Sequence, residues 1–327
     1  MSAATAEPAA SLAALDGRDL FSAADLGPQA WHELLDLAAT LKAEWRSAGR
    51  HASQPLRGRA VALVFEHPSL RTRVSTELAI GQLGGQSVYL FGGDVGIGRR
   101  EAADDIGRTL GAWVAAIVAR TLRDETVRDL AAGAGVPVIN GLTDREHPLQ
   151  AVADVLTMVE ALGSVAGHIV AYIGDGNNVA ASLAIAVTSL GGVMRLATPP
   201  GYAPADDLLA IVASRARLTG GRLELLDDPL AAASGADVLY TDVWTSMGME
   251  AERDRRRADL AGFAITRALL AAAAPGARIM HCLPAHPGEE IEAELLEAPA
   301  SLIASQAENR LHATKAVLAA LLSYPEA

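Results

Sequence analysis

The sequence predicts an α/β protein of two domains, each a parallel sheet flanked by helices, with interdomain helices joining them. Short apolar runs alternate with helical stretches along most of the chain, the pattern of strand–helix–strand units. That alternation breaks at a long helix beginning at Pro148 and restarts at His168. With 327 residues, 50% of them hydrophobic, the chain is too large for one small domain and has apolar residues enough for two cores.

In order, the Ala-rich segment 1–16 holds Glu7 and Asp16 without a strongly apolar stretch, and the first basic residue is Arg18. Neither a secretory signal nor an Arg-rich transit peptide fits, and 1–16 reads as a mobile tail. Apolar residues at 31, 34, 35, 38, 41 and 45 make a helical stripe in which Trp31 and Trp45 are core contacts. The run 60–65 reads as a buried strand and 71–83 as a helix stopped by Gly84-Gly85. Strand 87–91 leads into Gly92, Gly93, Gly96 and Gly98, expected to be a flexible loop that moves or meets a neighbour. Helix 101–113, strand 115–119, helix 125–132 and strand 136–140 follow. His147-Pro148-Leu149-Gln150 opens a helix reaching about 162, with proline where its missing N–H costs nothing.

The second half repeats the pattern: strands 169–173, 193–197, 223–226, 237–241 and 277–280, with helices 179–190, 205–217, 229–234 and 266–273 between them. A last helix, 308–322, is expected to pack back on the first half. The predicted domains are 17–149, with 305–327 returning to it, and 150–304.

Net charge is −12, which excludes a general nucleic-acid surface and makes any phosphate site a local positive pocket for a small ligand. The single cysteine, Cys282, excludes a disulfide framework and a Cys-rich metal site and fits a reducing, cytoplasmic setting. No apolar run approaches the ~20 residues that span a bilayer.

Ligand crevices in open α/β sheets lie beyond the carboxyl ends of strands, so residues there carry the functional reading. After 60–65, Ser69, Thr72 and the first-turn amides can converge on an anion, with Arg71 and Arg73 adding charge. A solvated turn with two surface arginines is the alternative. Arg120 ends a strand, facing either the crevice or open surface. His147 and Gln150 share a helix face, as carbonyl donors or as a plain cap. Gly174-Asp175-Gly176-Asn177-Asn178-Val179 lacks the third glycine of a dinucleotide fingerprint, leaving Asn178 to present its amide to a small polar ligand. Asp242 precedes a Ser246-Met247-Gly248 turn suited to an amino acid's charged head. Nearby, 254–257 reads as a solvated helix face. Cys282, in His281-Cys282-Leu283-Pro284, is either a buried small hydrophobe or a site residue, and no H-E-x-x-H spacing accompanies it.

Together these stretches resemble the aspartate/ornithine carbamoyltransferase family over 17–322. Ser69-Leu70-Arg71-Thr72-Arg73 resembles its S-T-R-T-R motif, His147 to Gln150 its H-P-x-Q, Gly174 to Asn178 its G-D-G-N-N, and Glu308-Asn309-Arg310 its E-N-R. Asp242 to Gly248 and His281 to Pro284 resemble the D-x-W-x-S-M-G and H-C-L-P loops of the ornithine branch; the aspartate branch typically has proline at the Cys282 position.

The resemblance implies carbamoyl phosphate on the first domain, ornithine on the second, closure on binding, a homotrimer or a multiple of trimers, and no metal or organic cofactor. Ser69, Arg71, Thr72 and the Leu70 backbone would hold phosphate; Arg120, His147 and Gln150 the carbamoyl end; Cys282 and Leu283 would lie beside the amide, and Arg310 would complete the pocket. Asn178, Asp242, Ser246 and the Met247 backbone would bind ornithine. Asp242 and Cys282 would help deliver a neutral amine, since an amine of pKa near 10 must lose a proton before it attacks. Arg120, His147 and Thr72 would stabilise the tetrahedral oxyanion. The sequence departs from the family where Leu70 replaces threonine, His67 stands for a common lysine, and Gly96 replaces a Gln or His that reaches a neighbouring subunit, unless Arg99 or Arg100 substitutes. Competing readings are a related amine (N-acetylornithine, putrescine), a non-catalytic carbamoyl phosphate or amino-acid sensor, and a nicotinamide oxidoreductase.

Overall fold

A computed structural model describes residues 9–246 and 248–322. It divides into two compact units: the described residues up to Leu156 together with those from Arg310, and Thr157–Asn309.

The first unit opens with α1 (Pro28–Ala48), which has Pro28 at its start and Gly49 in a left-handed cap, φ 65°, at its end. Its apolar stripe buries Trp31, Leu34, Leu35, Ala38 and Leu41. Then come β1 (Ala60–Phe65), α2 (Leu70–Gln82), β2 (Gln86–Phe91), α3 (Gly92–Val95), α4 (Ala103–Gly111), β3 (Ala116–Arg120), α5 (Asp124–Ala134), β4 (Val138–Leu142) and α6 (Pro148–Leu162). The four strands lie parallel in the order β2-β1-β3-β4. Phe65 is level with both Phe91 and Arg120, so the loops after these strands leave one edge of the sheet. Between β1 and β3 the chain order reverses direction, which is where such sheets hold ligands.

Two expectations for this unit need correction. Residues 9–16 are not a mobile tail: Ala9 and Leu15 are buried, and Ala9 exchanges hydrogen bonds with Asp25 and Gly27 at 2.7 and 2.9 Å. Gly17 N–H reaches the Leu321 carbonyl at 3.0 Å. Ala9 and Leu15 fill apolar space beside α1, which the polar look of the segment hid. The glycine run 92–98 is not an open loop either. It closes into α3, with Gly96 at φ 72° donating to the Gly92 carbonyl at 2.7 Å and accepting from Arg100 N–H at 2.7 Å.

Helices α4 and α5 approach backbone to backbone. A Cβ on Gly133 would sit 1.9 Å from the Asp104 carbonyl oxygen, so the helices would have to separate. Gly133→Ala is expected to destabilise the protein by about 2–3 kcal/mol, read as a lower midpoint in urea; an unchanged midpoint would show that the helices slide apart freely.

The second unit contains β5 (Ile169–Ile173), α7 (Asn178–Ser189), β6 (Val193–Ala197), α8 (Asp206–Thr219), β7 (Arg222–Leu226), α9 (Pro229–Ala233), β8 (Val238–Thr241), α10 (Arg253–Leu260), α11 (Arg267–Ala272) and β9 (Arg278–His281). Its five parallel strands run β7-β6-β5-β8-β9, with the reversal between β5 and β8. Ala171, Ile173, Leu239, Ile265, Ile279 and Ile291 belong to its core. The final helix, α12 (Ile303–Leu321), begins five residues earlier than the sequence predicts and passes from the second unit into the first. Its early turn is held by Gln306, whose side chain accepts from His281 N–H at 3.0 Å and donates to the Tyr240 hydroxyl at 3.0 Å.

On the part of α12 in the first unit, Lys315 is fully buried. Its ammonium faces His51 Nε2 at 3.1 Å, so Nδ1–H donates to Glu44 at 2.7 Å. Burial holds Lys315 down at about 8, with Glu44 pulling upward. Between that value and 10.5 the unfolded chain keeps a proton the folded chain has shed, so stability rises with pH across this window. The difference in Tm between the parent and a Lys315→Met variant is expected to grow in the parent's favour over that range; a constant difference would contradict it.

Candidate active site

The candidate anion site lies where β1 meets α2. Ser69 caps the helix, its hydroxyl accepting from Thr72 N–H at 3.3 Å, and the unpaired amides of the first turn stay exposed at the positive end of the helix dipole. Leu70 stands 73% exposed, so only its backbone is available to an anion. Arg71 is half-buried on the first turn. Arg73 turns away, stacking 3.7 Å above the Tyr89 ring and pairing with Glu77 at 3.0 Å, which corrects its assignment to the anion site.

Behind this turn Thr72 is buried and accepts from two guanidinium groups, Arg310 at 3.1 Å and Arg120 at 3.4 Å. A hydroxyl with both lone pairs engaged keeps its proton to donate, which suits it to a phosphate oxygen. Arg120 is aimed by a register shift between Ala119 and Arg120, where β3 pairs irregularly with β4. His147 and Gln150 come from the start of α6, both buried. Arg310 Nη1 donates to Gln150 Oε1, so α12 delivers its arginine into the same cluster.

The chemistry of His147 follows from its surroundings. Burial first, then the charges of Arg310, Arg120 and Arg71, hold its imidazole well below the usual histidine range. The ring therefore stays neutral and can donate one N–H without adding a fourth positive charge. NMR of 15N-histidine-labelled protein is expected to show His147 still neutral as pH falls through 6.5, where an ordinary histidine is half-protonated; protonation at that pH would contradict the buried, arginine-lined setting.

The second unit supplies a separate cluster at its own reversal point. Asp242, buried just after β8, accepts from Asn177 Nδ2 at 2.8 Å, from Val243 N–H at 2.8 Å and from the Cys282 thiol at 2.9 Å. Cys282 is thus half-buried and paired with Asp242, not merely an apolar filler. Asn177 also caps α7, its Oδ1 accepting from Val179 and Ala180 N–H. Asn178, the predicted ligand, is the half-buried first residue of α7. Gly176 packs against the 202–204 segment, where a Cβ would lie 2.4 Å from the Tyr202 carbonyl oxygen, so its lack of a side chain serves packing and not a dinucleotide.

Leu283 adopts φ 62°, with its N–H donating to His281 Nδ1 at 2.8 Å, and His281 Nε2 lies 3.1 Å from buried Glu290. Because Nδ1 accepts, the ring proton sits on Nε2 and points at the carboxylate. The ligand atoms of Asp242, His281 and Cys282 fall within 4.8 Å of one another, a grouping that sequence spacing did not suggest. Each is already engaged in the hydrogen bonds just described. Ser246 is half-buried, its carbonyl accepting from Met249 N–H at 3.1 Å, and Met247 lies outside the described residues.

The charged run Asp254-Arg255-Arg256-Arg257 departs from the solvated face expected of it. Arg256 is buried, ion-paired with Asp175 and donating to the Trp244 carbonyl at 2.6 Å, while its neighbours in the run are exposed. Burial pushes the Asp175 carboxyl up to about 6, with Arg256 opposing. This pair braces the loops after β5 and β8, and nothing in a charged run signals which member turns inward.

The first unit thus carries an arginine-rich cluster and the second a buried aspartate cluster, each at the reversal point of its own parallel sheet. Residues 18–160 match the family model described as aspartate/ornithine carbamoyltransferase, carbamoyl-P binding domain, and residues 166–321 match the Asp/Orn binding domain. The chain belongs to the aspartate/ornithine carbamoyltransferase family. It is 51% identical to an ornithine carbamoyltransferase of Acidothermus cellulolyticus over 91% of this chain and 94% of that protein. An anabolic ornithine carbamoyltransferase of Pyrococcus furiosus is 45% identical over 94% and 97%. The solved ornithine carbamoyltransferase of Pyrococcus furiosus superposes with a TM-score of 0.91 at 44% identity, covering 95% of this chain and 99% of that one.

Proposed function

We propose that the protein transfers the carbamoyl group of carbamoyl phosphate to the δ-amine of L-ornithine, giving L-citrulline and phosphate. The observation that carries this is the Asp242–Cys282 pair at 2.9 Å, beside an Asn177-capped helix, in a chain whose relatives are named ornithine carbamoyltransferases.

Phosphate is held by Ser69, Arg71, Thr72, Arg310 and the Leu70 amide. Arg120, His147 and Gln150 hold the carbamoyl group. Asn178, Asp242, Ser246 and the Met247 backbone hold the amino and carboxylate groups of ornithine, and Cys282 and Leu283 lie beside the reacting amide. The δ-ammonium loses a proton, and the neutral amine attacks the carbamoyl carbon. The carbonyl electrons move to oxygen, where Arg120, neutral His147 and Thr72 donate hydrogen bonds that strengthen as charge develops. The tetrahedral centre then collapses, the carbon–oxygen bond to phosphate breaks, and the nitrogen sheds its second proton. The arginines stabilise the departing phosphate.

We place the enzyme in arginine biosynthesis, in line with the anabolic relative. We assign it to the cytoplasm, which suits a chain with one free thiol and no helix, among the described residues, long and apolar enough to cross a membrane. We further propose a homotrimer or a multiple of trimers. Leu70, Val74 and Leu78 form an exposed stripe at helical spacing on α2, beside exposed Val88 on the edge strand β2. Light scattering should return three times the 33.8 kDa chain or a multiple of it.

Initial rates with carbamoyl phosphate and L-ornithine, N-acetylornithine, putrescine or aspartate test the substrate assignment. Ornithine is expected to be preferred at least 100-fold in kcat/KM. A preference for another amine, or calorimetric binding without turnover, would replace this reading.

A further inference from the structure

One buried carboxylate in the first unit has no place in the reaction as written. Asp154 is fully buried on α6, one helical turn beyond Gln150, and Gln150 Nε2 donates to its Oδ1 at 2.7 Å. A carboxylate only accepts and a guanidinium only donates. The atom facing Asp154 must therefore be the amide nitrogen, and the atom facing Arg310 the amide oxygen. The orientation of Gln150 follows from its neighbours' chemistry, with no choice left to the amide itself.

The chain of contacts continues outward. Arg310 Nη1 takes the Gln150 oxygen while Nη2 reaches Thr72 Oγ1 at 3.1 Å. Using both ends of a planar guanidinium fixes its plane. Thr72, which also accepts from Arg120, thereby points its own proton outward. If the amide turned over, its NH2 would face Arg310, donor against donor, and Arg310 would lose one of its two anchors.

We propose that Asp154 is a positioning residue of the carbamoyl phosphate half-site, acting through Gln150 to hold Arg310 and Thr72 in register for the substrate's phosphate. This rests on the function proposed above and adds a residue to it. Asp154 touches no substrate; its effect is to keep one amide from turning over.

Steady-state kinetics on Asp154→Leu and Asp154→Asn test it, with each substrate varied in turn. The leucine removes the acceptor at nearly constant shape, and KM for carbamoyl phosphate is expected to rise at least tenfold while KM for L-ornithine changes less than twofold. The asparagine can still offer an oxygen to Gln150 Nε2, so it should restore KM for carbamoyl phosphate to within threefold of the parent. A merely structural role would lower Tm in both variants without separating the two KM values. Equal shifts in both KM values, or an asparagine variant as impaired as the leucine one, would overturn the proposal.

Should the single leucine variant not fold, Gln150→Leu with Asp154→Leu replaces both members of this pair, and Gln150→Leu alone is the reference for the acceptor that Arg310 Nη1 loses in both. Its KM for carbamoyl phosphate should match that of Gln150→Leu within twofold, because the amide through which Asp154 acts is already gone. A further tenfold rise would show that Asp154 acts by another route. Calorimetry with carbamoyl phosphate alone separates the two levels of inference. Loss of binding in the leucine variant supports the positioning role even if the parent makes no citrulline.

Discussion

Arg310→Met is expected to lower kcat/KM for carbamoyl phosphate by roughly 100- to 1,000-fold, on the order of 3–4 kcal/mol of transition-state stabilisation. Arg310 is buried and joins Gln150 to Thr72, so its removal deletes a phosphate donor and releases two neighbours together. Methionine keeps much of the apolar volume, which limits the damage to packing. The loss should fall on the carbamoyl phosphate side, with Ki for inorganic phosphate as a product inhibitor rising in parallel. Stopped assays at subsaturating carbamoyl phosphate read the effect. Activity within fivefold of the parent would show that Arg310 is only a structural brace.

Asp242→Asn is expected to cost a similar amount, on the order of 3 kcal/mol, with kcat/KM for ornithine falling 100-fold or more. Asp242 receives Asn177, Val243 and Cys282 as donors, so no orientation of an amide at 242 avoids setting NH2 against one of them. The carboxylate's charge for an ornithine amine is lost at the same time. Because the residues assigned to the phosphate, Ser69, Leu70, Arg71, Thr72 and Arg310, lie in the other unit, calorimetric binding of carbamoyl phosphate should be unchanged within threefold. Weakened carbamoyl phosphate binding would remove Asp242 from the ornithine assignment.

The strands were legible because burial in a parallel sheet leaves nearly continuous apolar runs, and 60–65, 169–173 and 193–197 coincide with β1, β5 and β6. Strand ends then pointed to Ser69 and Arg120 in the first unit and to Asp242 and Cys282 in the second, since parallel register brings the strand ends of each sheet to one edge of that sheet. What escaped depends on contacts between distant segments. Arg256 looks like its solvated neighbours until Asp175 and Trp244 are seen beside it. Asn177 outranks Asn178 as the partner of Asp242 because the helix start places its side chain back across the cap. Asp154 sits in an apolar helix where an acid reads as an exposed position, and its burial and its bond from Gln150 are what mark it. Residues 9–17 are pinned by Asp25 and Gly27 at Ala9 and by Leu321 at Gly17, partners that no local pattern announces.

The central claim is that a carbon–nitrogen bond forms between the carbamoyl group and the δ-nitrogen of ornithine. Reaction of 13C-carbamoyl phosphate with δ-15N-L-ornithine, followed by NMR, observes that bond directly. The expected product is citrulline whose carbamoyl carbon shows one-bond coupling to 15N, formed at a rate linear in enzyme. A carbamoyl carbon without that coupling, or label appearing only in cyanate or bicarbonate and phosphate, would contradict the account.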